Sequence, residues 1–322
     1  MVSLLYADDK IIDNVPIEWE KLMGTIRKAV SIIHLGDYSQ PIKPYLRYND
    51  PKNRIIAMPA YLGGEIGMAG IKWIASFPDN INNGIKRAHC VIVLNDSNTG
   101  VPLAIFNSAK ISALRTASVS GTIIEEFLKK KNKHLKVGII GWGPIGQCHF
   151  QLIDENFSDY VDNVYIYDIR SIRRLKEKTN KKISITISKS WKELYDNSDI
   201  IITCTVADFP YIDLKPKEKK LLLNISLRDY KPSFYNYVNK SIIVDDWEEV
   251  CRENTDIENM HKEYGLIKDD TFDLYDILFD SQMDNIYPKP IMFNPMGLAA
   301  FDIAISSFYY QKLINLSYGE KI

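Results

Sequence analysis

The sequence predicts an α/β protein in which a doubly wound parallel sheet accompanies a second, discontinuous α+β domain. Three observations predict it. From residue 135 onward, short runs of Ile, Val and Leu alternate with helix-length segments, the rhythm of strands buried on both faces. Before residue 109 the apolar runs are joined by links such as Asn95 to Gly100, too short for a helical crossover, which implies antiparallel pairing. The chain closes with an apolar helix and no strand after it, the kind of tail that returns to pack on an N-terminal domain. A length of 322 residues suits about two domains. The expected division is 1–119 with 290–322 for the α+β part and 120–289 for the parallel sheet.

Trp19, Leu22, Met23, Ile26, Val30 and Ile33 recur at helical spacing and put one stripe on a core, with the helix closed near Gly36. Strand-like runs follow at Arg54–Met58, Met68–Ser76, Cys90–Leu94 and Val101–Phe106, set off by Gly, Asn, Asp or Pro. A helix from about Ala109 to Lys131 ends in the basic run KKKNKHLK, where cations suit the helix C-terminus. The runs KVGII, NVYIYD, ISITI, DIIITCT, KLLLNIS and SIIVDDW then read as buried strands. Helices are expected from Pro144, over SIRRLKEK and after ISITI, and the chain ends with PIMFNPMG and the helix FDIAISSFYYQKLI.

Composition narrows the function. With 46% hydrophobic and 25% charged residues, neither disorder nor a fibrous repeat fits. Lys plus Arg is 40 against 41 for Asp plus Glu, so a net charge of −1 removes any sequence-independent attraction to nucleic acid or an anionic membrane. Cys90, Cys148, Cys204 and Cys251 form no CxxC pair or disulfide framework, which suits a reducing compartment. The N-terminus turns acidic at Asp8 and Asp9 before an apolar signal segment can form, and no run approaches the ~20 apolar residues of a membrane span. A cytoplasmic location is therefore expected. His34, His89, His134, His149 and His261 make no HExxH or HxH set, so no metal site is expected.

KVGIIGWGPIG places Gly141, Gly143 and Gly146 directly after an apolar strand and at the start of a helix. The first permits a tight turn, the second lets backbone approach a pyrophosphate, and the third allows close helix-to-strand packing. Asp168 closes the next strand about twenty residues beyond, where an acid reaches the adenosine ribose hydroxyls. This is the dinucleotide fingerprint of a Rossmann-type sheet. A carboxylate there repels the 2′-phosphate of NADP, so NAD is the expected cofactor, although Arg170, Arg173 and Arg174 lie close behind and could soften that repulsion. Thr203, Cys204 and Thr205 end a strand at the ligand-binding edge of the sheet; Cys204 reads equally as part of a small buried turn.

In the first domain KPYLR, RIIAMP, GIKWI and ALRTASVS carry Lys43, Arg47, Lys72 and Arg115. Taken singly, each reads as a surface cation. Lys72 differs, because a lysine inside an apolar strand needs a partner or a task.

These segments resemble the ornithine cyclodeaminase and mu-crystallin family, whose pattern includes G-x-K-x, L-R-T-A and G-x-G-x-x-G, and the resemblance covers nearly the whole chain. KPYLR, RIIAMP, GIKWI, VLND, ITCTV, NIS, VDDW and NPMG are most similar to the branch that oxidises a glutamate adduct and releases 2,3-diaminopropionate for siderophores and antibiotics. The resemblance implies a substrate and dimerisation domain built from the N-terminal segment and last helix, NAD bound between the domains, and a homodimer. It implies that Lys72 contacts substrate near the reacting carbon, that Arg115 holds an α-carboxylate, and that Arg47 is a second carboxylate ligand; by charge, Lys43 joins them as a substrate-binding cation. Asp229 falls where the family has its catalytic aspartate; from its own surroundings it reads as a cap before Lys231 and Pro232. Thr116, Pro144, Ile145, Ser226, Asn294, Met296 and Gly297 are implied at the cofactor, with Gly141, Gly143, Gly146, Asp168 and Thr203 to Thr205. Asp245 and Asp246 read as caps of the helix starting at Trp247, and Asp302 as either a family aspartate or a surface acid. Where the cyclodeaminases carry a glutamate before Met-Pro, this chain has Ile55, Ile56 and Ala57, which leaves the far ammonium of ornithine without a partner. Cyclodeamination, ketimine reduction, amino-acid dehydrogenation and a non-enzymatic, ligand-sequestering role stand as alternatives.

Overall fold

Asp8 ends the first strand, β1 (Leu5–Asp8), and its carboxylate accepts from the backbone N–H of Ile11 at 3.1 Å, which starts α1 (Asp9–Asp13). The computed structural model describes residues 4–131, 134–172 and 183–321. α2 (Trp19–His34) buries Trp19, Leu22, Met23, Ile26 and Val30 of the expected stripe, with Ile32 buried and Ile33 only half-buried at its end, and the chain turns out at Gly36 in the left-handed region. Two short strands, β2 (Tyr38–Ser39) and β3 (Tyr45–Leu46), pair with β4 (Arg54–Leu62). β5 (Met68–Ser76), β6 (Ala88–Asp96) and β7 (Pro102–Asn107) continue an antiparallel meander, and β1 joins its far side parallel to β7. β4 runs past its expected end to Leu62, where Ala60 and Leu62 are also buried, and β6 is extended by two residues at each end, through pairing with neighbouring strands. α3 (Ala109–Leu128) follows.

The second part is a parallel sheet with the order β10-β9-β8-β11-β12-β15-β13-β14. Its elements are β8 (Leu135–Ile140), α4 (Pro144–Asn156), β9 (Val161–Tyr167), β10 (Ser184–Ile187), α5 (Trp191–Asn197), β11 (Ile200–Thr203) and β12 (Leu221–Asn224). They continue with α6 (Tyr235–Val238), β13 (Ile242–Val244), α7 (Trp247–Val250), α8 (Asp256–Tyr264), β14 (Thr271–Phe272), α9 (Leu274–Leu278), α10 (Met283–Ile286) and β15 (Ile291–Asn294). β11, β12, β13 and β15 are buried along their whole length, as all-apolar strands covered on both faces must be. The helix expected over SIRRLKEK lies almost wholly outside the described residues.

α11 (Ala299–Leu316) packs on α2, β4, β5 and β6. Side chains alternate along strands, so Met58, Ala60 and Leu62 of β4 and Cys90, Ile92 and Leu94 of β6 are all buried on one face. The chain divides into Met1–Val119 with Gly297–Ile322, and Ser120–Met296. Two expectations are corrected here. The return to the first unit begins at Gly297 rather than at residue 290, because the apolar run Ile291–Asn294 is a strand inserted between β12 and β13. A strand does follow the last helix: after Gly319, at φ 103°, β16 (Glu320–Lys321) pairs antiparallel with β1. Two polar residues carry no apolar pattern, so this edge pairing left no sequence signal. Among the described residues no helix is long and apolar enough to cross a membrane.

Candidate active site

Two clusters hold most of the expected site residues, one in each unit. In the first, the register of the meander sets Lys72 opposite Met58 on β4 and Ile92 on β6, both buried, so its side chain is taken out of water. Asp302 meets it there: Lys72 Nζ donates to Asp302 Oδ2 at 2.5 Å and to Ser112 Oγ at 3.3 Å. Arg115 Nε donates to Asp302 Oδ1 at 3.1 Å. Asp302 is fully buried in the first turn of α11, where the helix dipole favours an anion, so it is no surface acid. Burial raises its carboxyl, but the charges of Arg115 and Lys72 outweigh burial and hold it below the ordinary aspartate value. Burial pushes the Lys72 ammonium down, against the pull of Asp302.

Lys43 is also buried, and its Nζ donates to the Gly297 carbonyl at 2.8 Å. Gly297 has φ 85°, and a Cβ there would lie 2.6 Å from Arg115 Nη1, so this turn needs glycine to keep its place beside the arginine. Thr116 turns its hydroxyl back to the Ser112 carbonyl at 2.8 Å. The structure does not bring Arg47 into the buried cluster: it is exposed, with its guanidinium 5.1 Å from the centre of the Tyr45 ring. Ile55 and Ile56 are half-buried on β4.

The second cluster lies at the carboxyl ends of the parallel strands, the edge where such sheets bind ligands. Gly141, at φ 99°, sits so close to β11 that a Cβ would lie 2.6 Å from the Cys204 carbonyl. At Gly146 a Cβ would lie 2.1 Å from the Gly141 carbonyl, whereas at Gly143 it would meet nothing within 4 Å. Gly143 therefore borders open space at the start of α4, with Pro144 and Ile145 behind it and no side chain capping the first turn. The free backbone N–H groups of that turn suit an anion, so a dinucleotide pyrophosphate fits.

Asp168 follows β9, and its carboxylate accepts from Trp142 N and Arg170 N, both at 2.8 Å, and from Arg170 Nε at 3.2 Å. Burial raises it, but the Arg170 contacts win and keep it below its ordinary value. Arg173 and Arg174 lie outside the described residues.

Asp229 is fully buried, and its carboxylate accepts from the hydroxyls of Thr205 and Ser226 rather than capping the turn at Lys231. Burial raises its carboxyl, and the hydroxyls of Ser226, Thr205 and Thr203 oppose the rise without cancelling it. Ser226 Oγ also contacts Thr203 Oγ1 at 3.0 Å. Burial pushes the Cys204 thiol well up, so it is no thiolate.

The NPMG turn divides its duties. Asn294 accepts from Asn224 Nδ2 at 2.8 Å and donates to the Met292 carbonyl at 3.3 Å, which binds neighbouring strands together. Met296 N donates to Asp245 Oδ1 at 2.9 Å. Asp246 is the cap of α7, through Glu249 N at 2.8 Å, while Asp245 secures the NPMG turn instead, a correction to its reading as a cap. Among the described residues no group of three or more His, Cys, Asp or Glu side chains could hold a metal ion.

Sequence reasoning missed Asp256, a buried carboxylate at the start of α8. Its Oδ2 accepts from Asn224 Nδ2 at 2.9 Å and from the backbone N–H groups of Asp229 and Tyr230, both at 3.1 Å. An acid following a threonine before a helix looks like ordinary capping, so no sequence signal marked it.

Residues 11–215 match the model of the ornithine cyclodeaminase/mu-crystallin family. The chain is 36% identical over 321 residues to the N-((2S)-2-amino-2-carboxyethyl)-L-glutamate dehydrogenase of Staphylococcus aureus, covering 92% of this chain and 91% of that protein. It is 27% identical to the alanine dehydrogenase of Archaeoglobus fulgidus, over 95% of this chain and 94% of that one. Among solved structures it is similar to the Thermococcus litoralis Delta(1)-pyrroline-2-carboxylate reductase in complex with NADH and L-proline. The TM-score is 0.86 at 22% identity, with 99% of this chain and 100% of that chain covered.

Proposed function

The chain belongs to the ornithine cyclodeaminase/mu-crystallin family, and from that premise we propose that it is an NAD-dependent dehydrogenase acting on N-(2-amino-2-carboxyethyl)-L-glutamate. The products are 2-oxoglutarate and L-2,3-diaminopropionate, the latter a precursor for siderophore or antibiotic assembly. The observation that carries this reading is Asp229, buried and held by two hydroxyls at the same strand edge as the glycine turn.

NAD⁺ supplies the hydride acceptor when bound. Gly143 and the open first turn of α4 would hold its pyrophosphate, and Asp168 would take its ribose hydroxyls. Loss of hydride from the glutamate α-carbon leaves a C=N bond in the substrate. Asp229 accepts a proton from the water that adds to that carbon, and its raised pKa brings it nearer the working pH of a general base. Collapse of the carbinolamine breaks the C–N bond and frees the amine.

Lys72, Arg115 and the other cations orient the substrate through its carboxylates. Lys72 and Arg115 share Asp302, so that cluster keeps one net positive charge and suits one carboxylate. Lys43, buried in the same unit, serves a second carboxylate, and Arg47, exposed just after β3, is left as the cation for the third. The apolar pair Ile55 and Ile56 offers nothing to the second ammonium of ornithine.

The uncovered face of the first unit's sheet supports a homodimer. Trp73 stands opposite Ala57 and Val91, and Ile71 opposite Pro59 and Val93, an apolar stripe with Trp73 41% exposed. No disulfide joins the four cysteines, which suits a cytoplasmic enzyme. Mass spectrometry of products from the glutamate adduct, L-alanine, L-ornithine and a cyclic ketimine, each with the matching nicotinamide cofactor, tests the reading. 2-Oxoglutarate with 2,3-diaminopropionate is the expected pair; proline from ornithine, or pyruvate from alanine as the main product, overturns it.

A further inference from the structure

Asp256 makes three hydrogen bonds through one carboxylate oxygen, and two of the donors are the consecutive backbone N–H groups of Asp229 and Tyr230. The third donor, Asn224 Nδ2, comes from the last residue of β12 and is itself held by Asn294 at the end of β15. A single side chain at the start of α8 thus fixes the turn that carries Asp229 to two central strands. Its other oxygen, Oδ1, is buried and meets no donor among the described residues, which makes the ionised form costly.

We propose that Asp256 is a positioning residue for Asp229: it clamps the Asp229–Tyr230 backbone against the end of β12 and places a second negative charge beside the Asp229 carboxyl. This rests on the reading of Asp229 as the group that takes the proton from water. Burial pushes Asp256 up to about 7, and ionised Asp229 contributes to that rise. Such an interaction is mutual, so ionised Asp256 raises Asp229 in turn. The other titratable or charged groups facing the pair are Arg228, the Cys204 thiol and the phenols of Tyr211 and Tyr230. Burial pushes that thiol and both phenols upward, so Asp229 and Asp256 are the groups that change charge between about pH 4 and 8.

The test needs no turnover. In protein labelled with ¹³C at the aspartate carboxyl carbon, the Asp229 signal is the one missing from an Asp229→Asn variant. In the unmodified protein that signal should titrate in two steps, the second near pH 7 as Asp256 ionises. Asp256→Asn keeps an oxygen for the three N–H donors and removes the charge. There the second step should vanish, leaving one step at the midpoint of the first. A single step in the unmodified protein, or a second step near pH 7 that persists in the variant, overturns the proposal. If Asp256→Asn does not fold, the two-step titration of the unmodified protein decides alone. Should the protein fail to oxidise the glutamate adduct, the functional reading fails while this titration still reports on the clamp.

Discussion

Lys72, Arg115 and Asp302 take three full charges out of water, and such a group is sustained only because each cation has its anion. Removing the shared anion leaves both cations uncompensated. Asp302→Asn, which strands two buried cations, should lower the unfolding free energy by about 3–5 kcal/mol in urea titrations, more than Lys72→Met, which leaves Asp302 its arginine. Asp302 has its folded pKa below the unfolded value, so its stabilisation is complete above about pH 4 and is lost as the pH falls through the lower folded value. Acid unfolding of Asp302→Asn should lack that contribution. On the proposed function Asp168, paired with Arg170, faces the ribose: NADH should bind more tightly than NADPH, and Asp168→Ala should narrow the gap in a fluorescence titration. NADPH binding as tightly as NADH to the unmodified protein contradicts this.

The glycine turn and the strand–helix alternation around it were legible element by element, because buried parallel strands and a tight phosphate turn leave composition no freedom. β5 matches its sequence bounds at both ends, since its apolar residues are flanked by Gly and Pro. Other elements were silent for physical reasons. β16 is two polar residues held by a glycine turn, and Ile291–Asn294 reads with the C-terminal tail because nothing in four residues names the strands on either side of it. Lys72 stood out as a cation in an apolar strand, but its partner Asp302 is far away in sequence and only the packing of α11 on β5 brings them together. Asp256 was invisible because its partners are backbone N–H groups, which any sequence supplies. The glycine turn makes its own test. Gly143→Ala places a methyl group in open space and should leave the thermal midpoint unchanged while weakening NADH binding about tenfold or more. Gly146→Ala drives a Cβ into the Gly141 carbonyl and should lower the thermal midpoint itself.

For the whole molecule, the proposed homodimer rests on the apolar stripe around Trp73 and Ile71. Light scattering should report a dimer, and Trp73→Glu should shift it to monomer, because a charge at the centre of such an interface is desolvated without a partner. A monomer in the unmodified protein contradicts the dimer. The functional account itself turns on charge. The proposed substrate carries three carboxylates for the first unit's cations to hold, and deleting one charge-assisted hydrogen bond typically costs about 1.5–3 kcal/mol, or roughly ten- to a hundredfold in rate. Glutamate and alanine should therefore be much poorer substrates than the full adduct. The most direct measurement is the initial rate of NADH formation, followed by absorbance, with purified protein, NAD⁺ and N-(2-amino-2-carboxyethyl)-L-glutamate, beside the same assay on Asp229→Asn. The account predicts rapid NADH release with the unmodified protein and none with the variant; no NADH from the adduct, together with efficient conversion of ornithine to proline and ammonia, would contradict it.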